Sequence, residues 1–143
     1  MNRKKVKVIC LTTMLCFFIL FTSCTSTNRI DYYSKRDNYI TATGMVRYIS
    51  YSEDNLALYL DFEELTPTFD DTCFKIVGKN LSIVQGNGIN DKVKEGIQIE
   101  FITAPRYFGD GYVMPIVAIS VEGESLLEFE EGFTNLLIWL KEK

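Results

Sequence analysis

No histidine occurs among the 143 residues. That one absence removes Ser-His-Asp triads, Cys-His pairs and most catalytic zinc centres, because each uses an imidazole as base or ligand. Phosphate-cradling loops are missing as well. The turns "GNG" at 86–88 and "GDG" at 109–111 stand alone, with no following Lys-Ser/Thr and no fingerprint that opens a helix. Cysteine is scarce, limited to Cys10, Cys16, Cys24 and Cys73. An apolar run of about 20 residues, the length a helix needs to cross hydrocarbon, is not found either.

The longest apolar run, "VICLTTMLCFFILF", is 14 residues and follows Arg3, Lys4, Lys5 and Lys7. A basic start, a short greasy core and the small residues Thr22 and Ser23 make the pattern of a cleavable export signal, not of a permanent span. The tetrad "FTSC" at 21–24 resembles the lipobox of bacterial lipoproteins, with Phe21 standing where that family usually has Leu, Val or Ile. The resemblance covers the first 24 residues. It implies that residues 1–23 are a signal peptide and that Cys24 is diacylated on sulfur and becomes the first residue of the exported chain. At about 0.8 kcal/mol per buried CH₂, two or more acyl chains anchor a protein to a membrane essentially permanently. The expected location is thus the exported side of the cell membrane or outer membrane.

Loss of the leader leaves 11 basic and 19 acidic residues, a net charge of −8. Such a chain lacks the basic surface that releases counterions from phosphate, so nucleic acid is not an expected partner. Cys10 and Cys16 depart with the leader and Cys24 is consumed by lipid. Cys73 therefore has no intramolecular partner and reads as a small buried hydrophobe.

Residues 24–38 are polar and aperiodic and read as a tether, with Tyr32 and Tyr33 packing back on the domain. Residues 39–143 are enough for one domain with one core. "YITATGMVRYISY" is β-branched and aromatic, with Gly44 marking a bulge or bend. In "NLALYLDF", Leu56, Leu58, Leu60 and Phe62 alternate with Ala57, Tyr59 and Asp61, which predicts a strand with one buried face. "TCFKIV" predicts a third strand. "GKNLSIVQGNG" suits a short helix with Asn80 as N-cap. "IQIEFITA" and "VMPIVAISVEG" predict two more strands around the glycine turn "PRYFGDGY", Pro115 pointing to an edge or bulge.

This order resembles the OB-fold over residues 39–121, and the expectation is a mainly β, five-stranded OB-like barrel with a short helix between strands 3 and 4. A small antiparallel meander or sandwich is the rival. At the carboxyl end, Leu126, Phe129, Phe133, Leu136 and Leu140 share one helical face, and Ser125 with Glu128 has capping-box spacing. The alternative is a strand through "SLLEFE" with a helix starting near Thr134. Either way the amphipathic helix is expected to cover the barrel.

Two clusters carry the chemistry that remains. Asp61, Glu63, Glu64, Asp70 and Asp71 bracket one loop, but their spacing is not that of a calcium loop, and solvation is the plain reading. Arg106, Tyr107 and Tyr112 surround the "GDG" turn and, with Tyr59, make a candidate stacking surface for sugars or bases. The plain alternative has Tyr107 and Phe108 plugging the barrel. No catalytic residue, metal site or cofactor is expected. The leading reading is a lipid-anchored, non-catalytic binding or adaptor module of the cell envelope, with an envelope protein or glycan as partner. The alternatives are a carboxylate-dependent polysaccharide hydrolase using Asp70 or Asp71, and a purely structural lipoprotein.

Overall fold

The computed structural model describes residues 29–106 and 113–143. The leader, Cys24, Tyr107 and Tyr112 lie outside these residues. The chain divides into two compact units, Met1–Tyr32 and Tyr33–Lys143. In the first, the described residues 29–32 are helical. The second contains all of the sheet. No helix among the described residues is long and apolar enough to cross a membrane.

The second unit is mainly β, with six strands where five were expected. They are β1 (Ile40–Tyr51), β2 (Ala57–Thr66), β3 (Cys73–Val77), β4 (Gln98–Thr103), β5 (Met114–Val121) and β6 (Glu124–Leu127). Their order across the sheet is β3-β2-β1-β4-β5-β6, all antiparallel. In addition, β3 meets β5 in parallel at Phe74 with Met114 and Lys75 with Pro115. Each of β1 to β5 thus has a strand partner on both edges over part of its length. The additional strand arises from Glu122 and Gly123, which both take positive φ, 51° and 81°. Two left-handed residues in a row are the geometry of a tight hairpin, so the chain folds straight back on β5.

Alternation along β2 puts Leu58, Leu60 and Phe62 wholly inside, where they meet Phe74, Ile76 and Phe101. The rings of Phe62 and Phe101 stack at 4.7 Å, and Phe74 approaches Phe101 edge-on at 4.9 Å. Each of these side chains contributes about 1.5–3 kcal/mol by leaving water. Gly44 sits where the β1–β2 register slips, between Thr43 and Met45. A Cβ there would lie 2.9 Å from Leu65 Cδ2, so the strand bends against β2 only because the side chain is missing. Pro115 lies near the start of β5, outside the pairs β5 makes with β4, so its missing N–H interrupts no ladder bond with that strand.

Between β3 and β4 run α1 (Gly78–Gly86) and the single turn α2 (Ile89–Lys92). The short helix lies where the sequence places it, but Asn80 is not its cap. The helix starts at Gly78 after Val77, and Asn80 is buried within its first turn. The carboxyl helix α3 (Phe129–Lys141) likewise differs from both expectations for its start. Ser125 belongs to β6, Glu128 is the N-cap residue without a side-chain cap bond, and helix begins well before Thr134. Phe133, Leu136 and Leu140 form its buried stripe.

Gly132, which costs an isolated helix about 1 kcal/mol, marks a close approach. A Cβ at that position would lie 1.7 Å from the carbonyl oxygen of Val117, so α3 rests directly on the backbone of β5. This contact explains why β5 is buried along almost its whole length and shows no alternation. Asn80 donates to Gly132 O at 2.9 Å and accepts from Asn135 at 3.0 Å, joining α1 to α3.

Of the two tyrosines expected to pack back from residues 24–38, Tyr33 does so. Tyr33 is completely buried, and its hydroxyl donates to the Arg106 carbonyl at 2.6 Å. Tyr39 donates to Tyr33 O at 2.8 Å and sets its ring edge-on to Phe129 and Phe133. Arg36 lies 4.7 Å over the Phe133 ring and grips both carboxylate oxygens of Glu130, one at 2.7 Å. Residues 33–39 therefore form a strap across the start of α3.

Candidate functional site

The loop from Ser52 to Leu56 turns β1 into β2, and its own side chains hold it in shape. Asp54 Oδ1 accepts from Ser52 Oγ at 2.6 Å and from Leu56 N at 3.0 Å, while Ser52 Oγ accepts from Ala57 N at 3.0 Å. These bonds, with Lys143 nearby, hold the Asp54 carboxyl below its ordinary range. Asn55 takes positive φ to complete the turn. Leu56 precedes the strand and is 65 % exposed, so the buried face of β2 begins only at Leu58.

Immediately after the loop, Tyr59 of β2 stands opposite Lys75 of β3. The Lys75 ammonium lies 6.0 Å from the centre of the Tyr59 ring. Lys75 is 7 % exposed, its stem lying among the strands. From the other side comes Trp139, near the end of α3, with the Lys143 ammonium 5.7 Å from its ring centre. Its seat is prepared by Gly78, where a Cβ would come 2.7 Å from Trp139 Cδ1 and where φ is +60°. Glycine here serves both the left-handed backbone and the space for the indole.

Loop, strands and helices together enclose an open groove of about 570 Å³, with Leu56, Tyr59, Lys75 and Trp139 among its lining and Ser82 and Gln85 presented by α1. Another groove of about 550 Å³ runs between Gln98 and Glu122, but no aromatic ring lines it.

Of the residues expected to form one stacking surface, Tyr59 lies in the first groove and Arg106 does not. Tyr59 pairs with Ser50 near the end of β1, whereas Arg106 follows β4, whose Thr103 pairs with Ile40 at the start of β1. Arg106 is exposed, and its main chain is tied to Ala104 and Tyr33. Tyr107 and Tyr112 lie outside the described residues. Trp139 is the residue that sequence reasoning missed. The signal available was its position at the margin of the apolar stripe of α3, three residues after Leu136 and one before Leu140, where an indole is only partly covered.

The acidic loop is engaged structurally. Asp61 accepts from Arg47 at 2.6 and 2.8 Å and from Thr72 Oγ1 at 2.6 Å. Asp71 Oδ1 accepts from the main-chain N–H groups of Thr72 and Cys73, capping the start of β3. Among the described residues no group of three or more acids or cysteines is placed to hold a metal ion. Cys73 is half-buried, and burial together with Asp61 and Asp71 pushes its thiol up to about 11. It is therefore protonated, and a poor nucleophile, at neutral pH.

Comparison with protein-family models, curated proteins and solved structures finds no match.

Proposed function

We propose that this chain is a lipid-anchored, non-catalytic binding module of the cell envelope, held to a membrane through Cys24, and that the groove between Tyr59 and Trp139 is its binding surface. The observation that carries the binding surface is the pair of half-buried aromatic rings, each beneath an ammonium, on either side of one open groove. Pockets of this kind orient a ligand with a few fixed polar groups and gain affinity from the rings. The anchor rests on the basic start, the short apolar run and the "FTSC" tetrad. We read the sheet as an OB-like barrel. Support comes from the parallel β3–β5 pairs, which complete a ring of neighbours β1-β2-β3-β5-β4, and from the short helix between β3 and β4.

The test has two arms. Metabolic labelling with an alkyne fatty acid marks wild type and not Cys24→Ser, and the variant leaves the membrane fraction; unlabelled wild type overturns the anchor. Affinity capture from detergent-solubilised envelopes recovers material that the Tyr59→Ala chain fails to retain; identical recovery by both overturns the groove as binding surface.

A further inference from the structure

Resting on the binding-module reading, the geometry points to an uncharged saccharide as the occupant of the Tyr59–Trp139 groove. Each other class of ligand meets a specific obstacle. A cationic ligand would be repelled by the Lys75 and Lys143 ammonium groups, which stand 6.0 and 5.7 Å from the two ring centres. A polyanion would meet the Asp54 and Glu142 carboxylates in the groove lining, on a chain whose net charge is −4. An apolar helix of a protein partner needs a continuous greasy stripe. Here Leu56, Tyr59 and Trp139 are interleaved with Asp54, Ser82, Gln85 and Glu142.

A neutral sugar chain matches that interleaving. A pyranose ring carries an apolar C–H face with hydroxyls around its edge, and the C–H face is attracted to the electron-rich face of an aromatic ring. The polar groups around the groove are of the right kind. Asp54 uses Oδ1 to hold its own loop, which leaves Oδ2 to accept from a hydroxyl. Ser82 and Gln85 lie three residues apart on the exposed side of α1, so they project on one helix face. Gln85 donates one N–H to Tyr51 Oη at 3.4 Å and keeps its other N–H and its carbonyl acceptor. Between them, acceptors and hydroxyls flank both rings.

Preorganisation favours the same occupant. Gly78 seats the indole from below, and the bonds of Ser52 and Asp54 hold the loop, so neither wall must be ordered when a ligand arrives.

Trp139 is the single tryptophan of the sequence, so tryptophan emission reports on this groove alone. Full-length protein in detergent would be titrated with three neutral tetrasaccharides: β-1,4-linked N-acetylglucosamine, β-1,4-linked glucose and α-1,4-linked glucose. An anionic uronate-containing tetrasaccharide and an uncharged amphipathic peptide complete the series. At least one neutral sugar is expected to shift the emission saturably, with binding at least tenfold weaker in Tyr59→Ala and in Ser82→Arg. The second substitution is at an exposed helix position and leaves the core intact. Tyr48→Ala, on an exposed tyrosine outside the groove lining, is expected to bind as wild type does. Saturation by the anionic sugar or the peptide, with no response to any neutral sugar, overturns the saccharide assignment and leaves the binding module standing. Silence toward every probe also overturns the saccharide assignment; the binding module falls only if Tyr59→Ala recovers the same envelope material as wild type.

Discussion

Asn135 donates its side-chain N–H to the carbonyl oxygen of Asn80 across 3.0 Å, with both residues buried, at 7 % and 1 % exposure. Asn80 passes the chain of bonds on to the main-chain carbonyl of Gly132. A buried amide deprived of its partner keeps the full cost of leaving water. Asn135→Ala is accordingly expected to cost about 1–3 kcal/mol, read from urea unfolding. A double-mutant cycle with Asn80→Ala should give a coupling of about 0.5–3 kcal/mol. Purely additive losses would mean that the two amides act independently.

Two glycines of the helical layer should respond in opposite directions to the same added methyl. Gly132→Ala drives a Cβ into Val117 O and is expected to destabilise by about 3 kcal/mol or more. Gly86 closes α1 with open space around it and without positive φ, so Gly86→Ala should stabilise by about 0.5–1 kcal/mol. Thermal unfolding of the two variants decides both.

Cys73 links chemistry to stability through its proton. The folded chain holds that proton up to about pH 11, whereas an ordinary thiol releases it near 9. Across that window the unfolded state binds fewer protons than the native state, so this contribution is complete below pH 9 and is lost as pH rises towards 11. The loss should flatten in Cys73→Ser. At pH 8, reaction of Cys73 with a disulfide reagent should be about a hundredfold slower in the native than in the unfolded chain, from the two-unit difference in thiolate fraction. Equal rates would contradict the raised value.

The strap over α3 makes a prediction that a loose tether does not. Tyr33→Ala removes a wholly buried ring and is expected to cost about 3 kcal/mol. Glu130→Gln releases one charge of an exposed pair, so melting should hardly change. Trypsin should nevertheless cut more quickly after Lys35 and Arg36. Unchanged cleavage would show that the aromatic contacts of Tyr39 hold the strap without Glu130.

Much of the sheet was legible because its cause is local. The alternation of Leu58, Leu60 and Phe62 was readable, and Gly44 marked the bend. Whether "SLLEFE" paired or coiled after β5 depended on the free edge of that strand, a non-local fact. β5 itself hid its outer face because α3 covers it, and an apolar run buried on both sides has no period to read. Asn80 failed as a cap for a similar reason. Its amide is claimed by Gly132 and Asn135, more than 50 residues away in sequence. The candidate site was half legible: Tyr59 stood out from its outward position on β2, whereas Arg106 was singled out by the aromatic residues around the "GDG" turn, which says nothing of the groove beside Tyr59.

Gly132 is not among the residues lining the groove, yet it seats the helix that carries Trp139 into it. From its contact with Val117, the helix axis runs seven residues to Trp139, about 10 Å at 1.5 Å per residue. A methyl group wedged beneath the near end would tilt the rod, and the tilt would arrive at an indole seated in the gap left by Gly78. The place of the indole is thus set by two positions where the protein has kept no side chain at all.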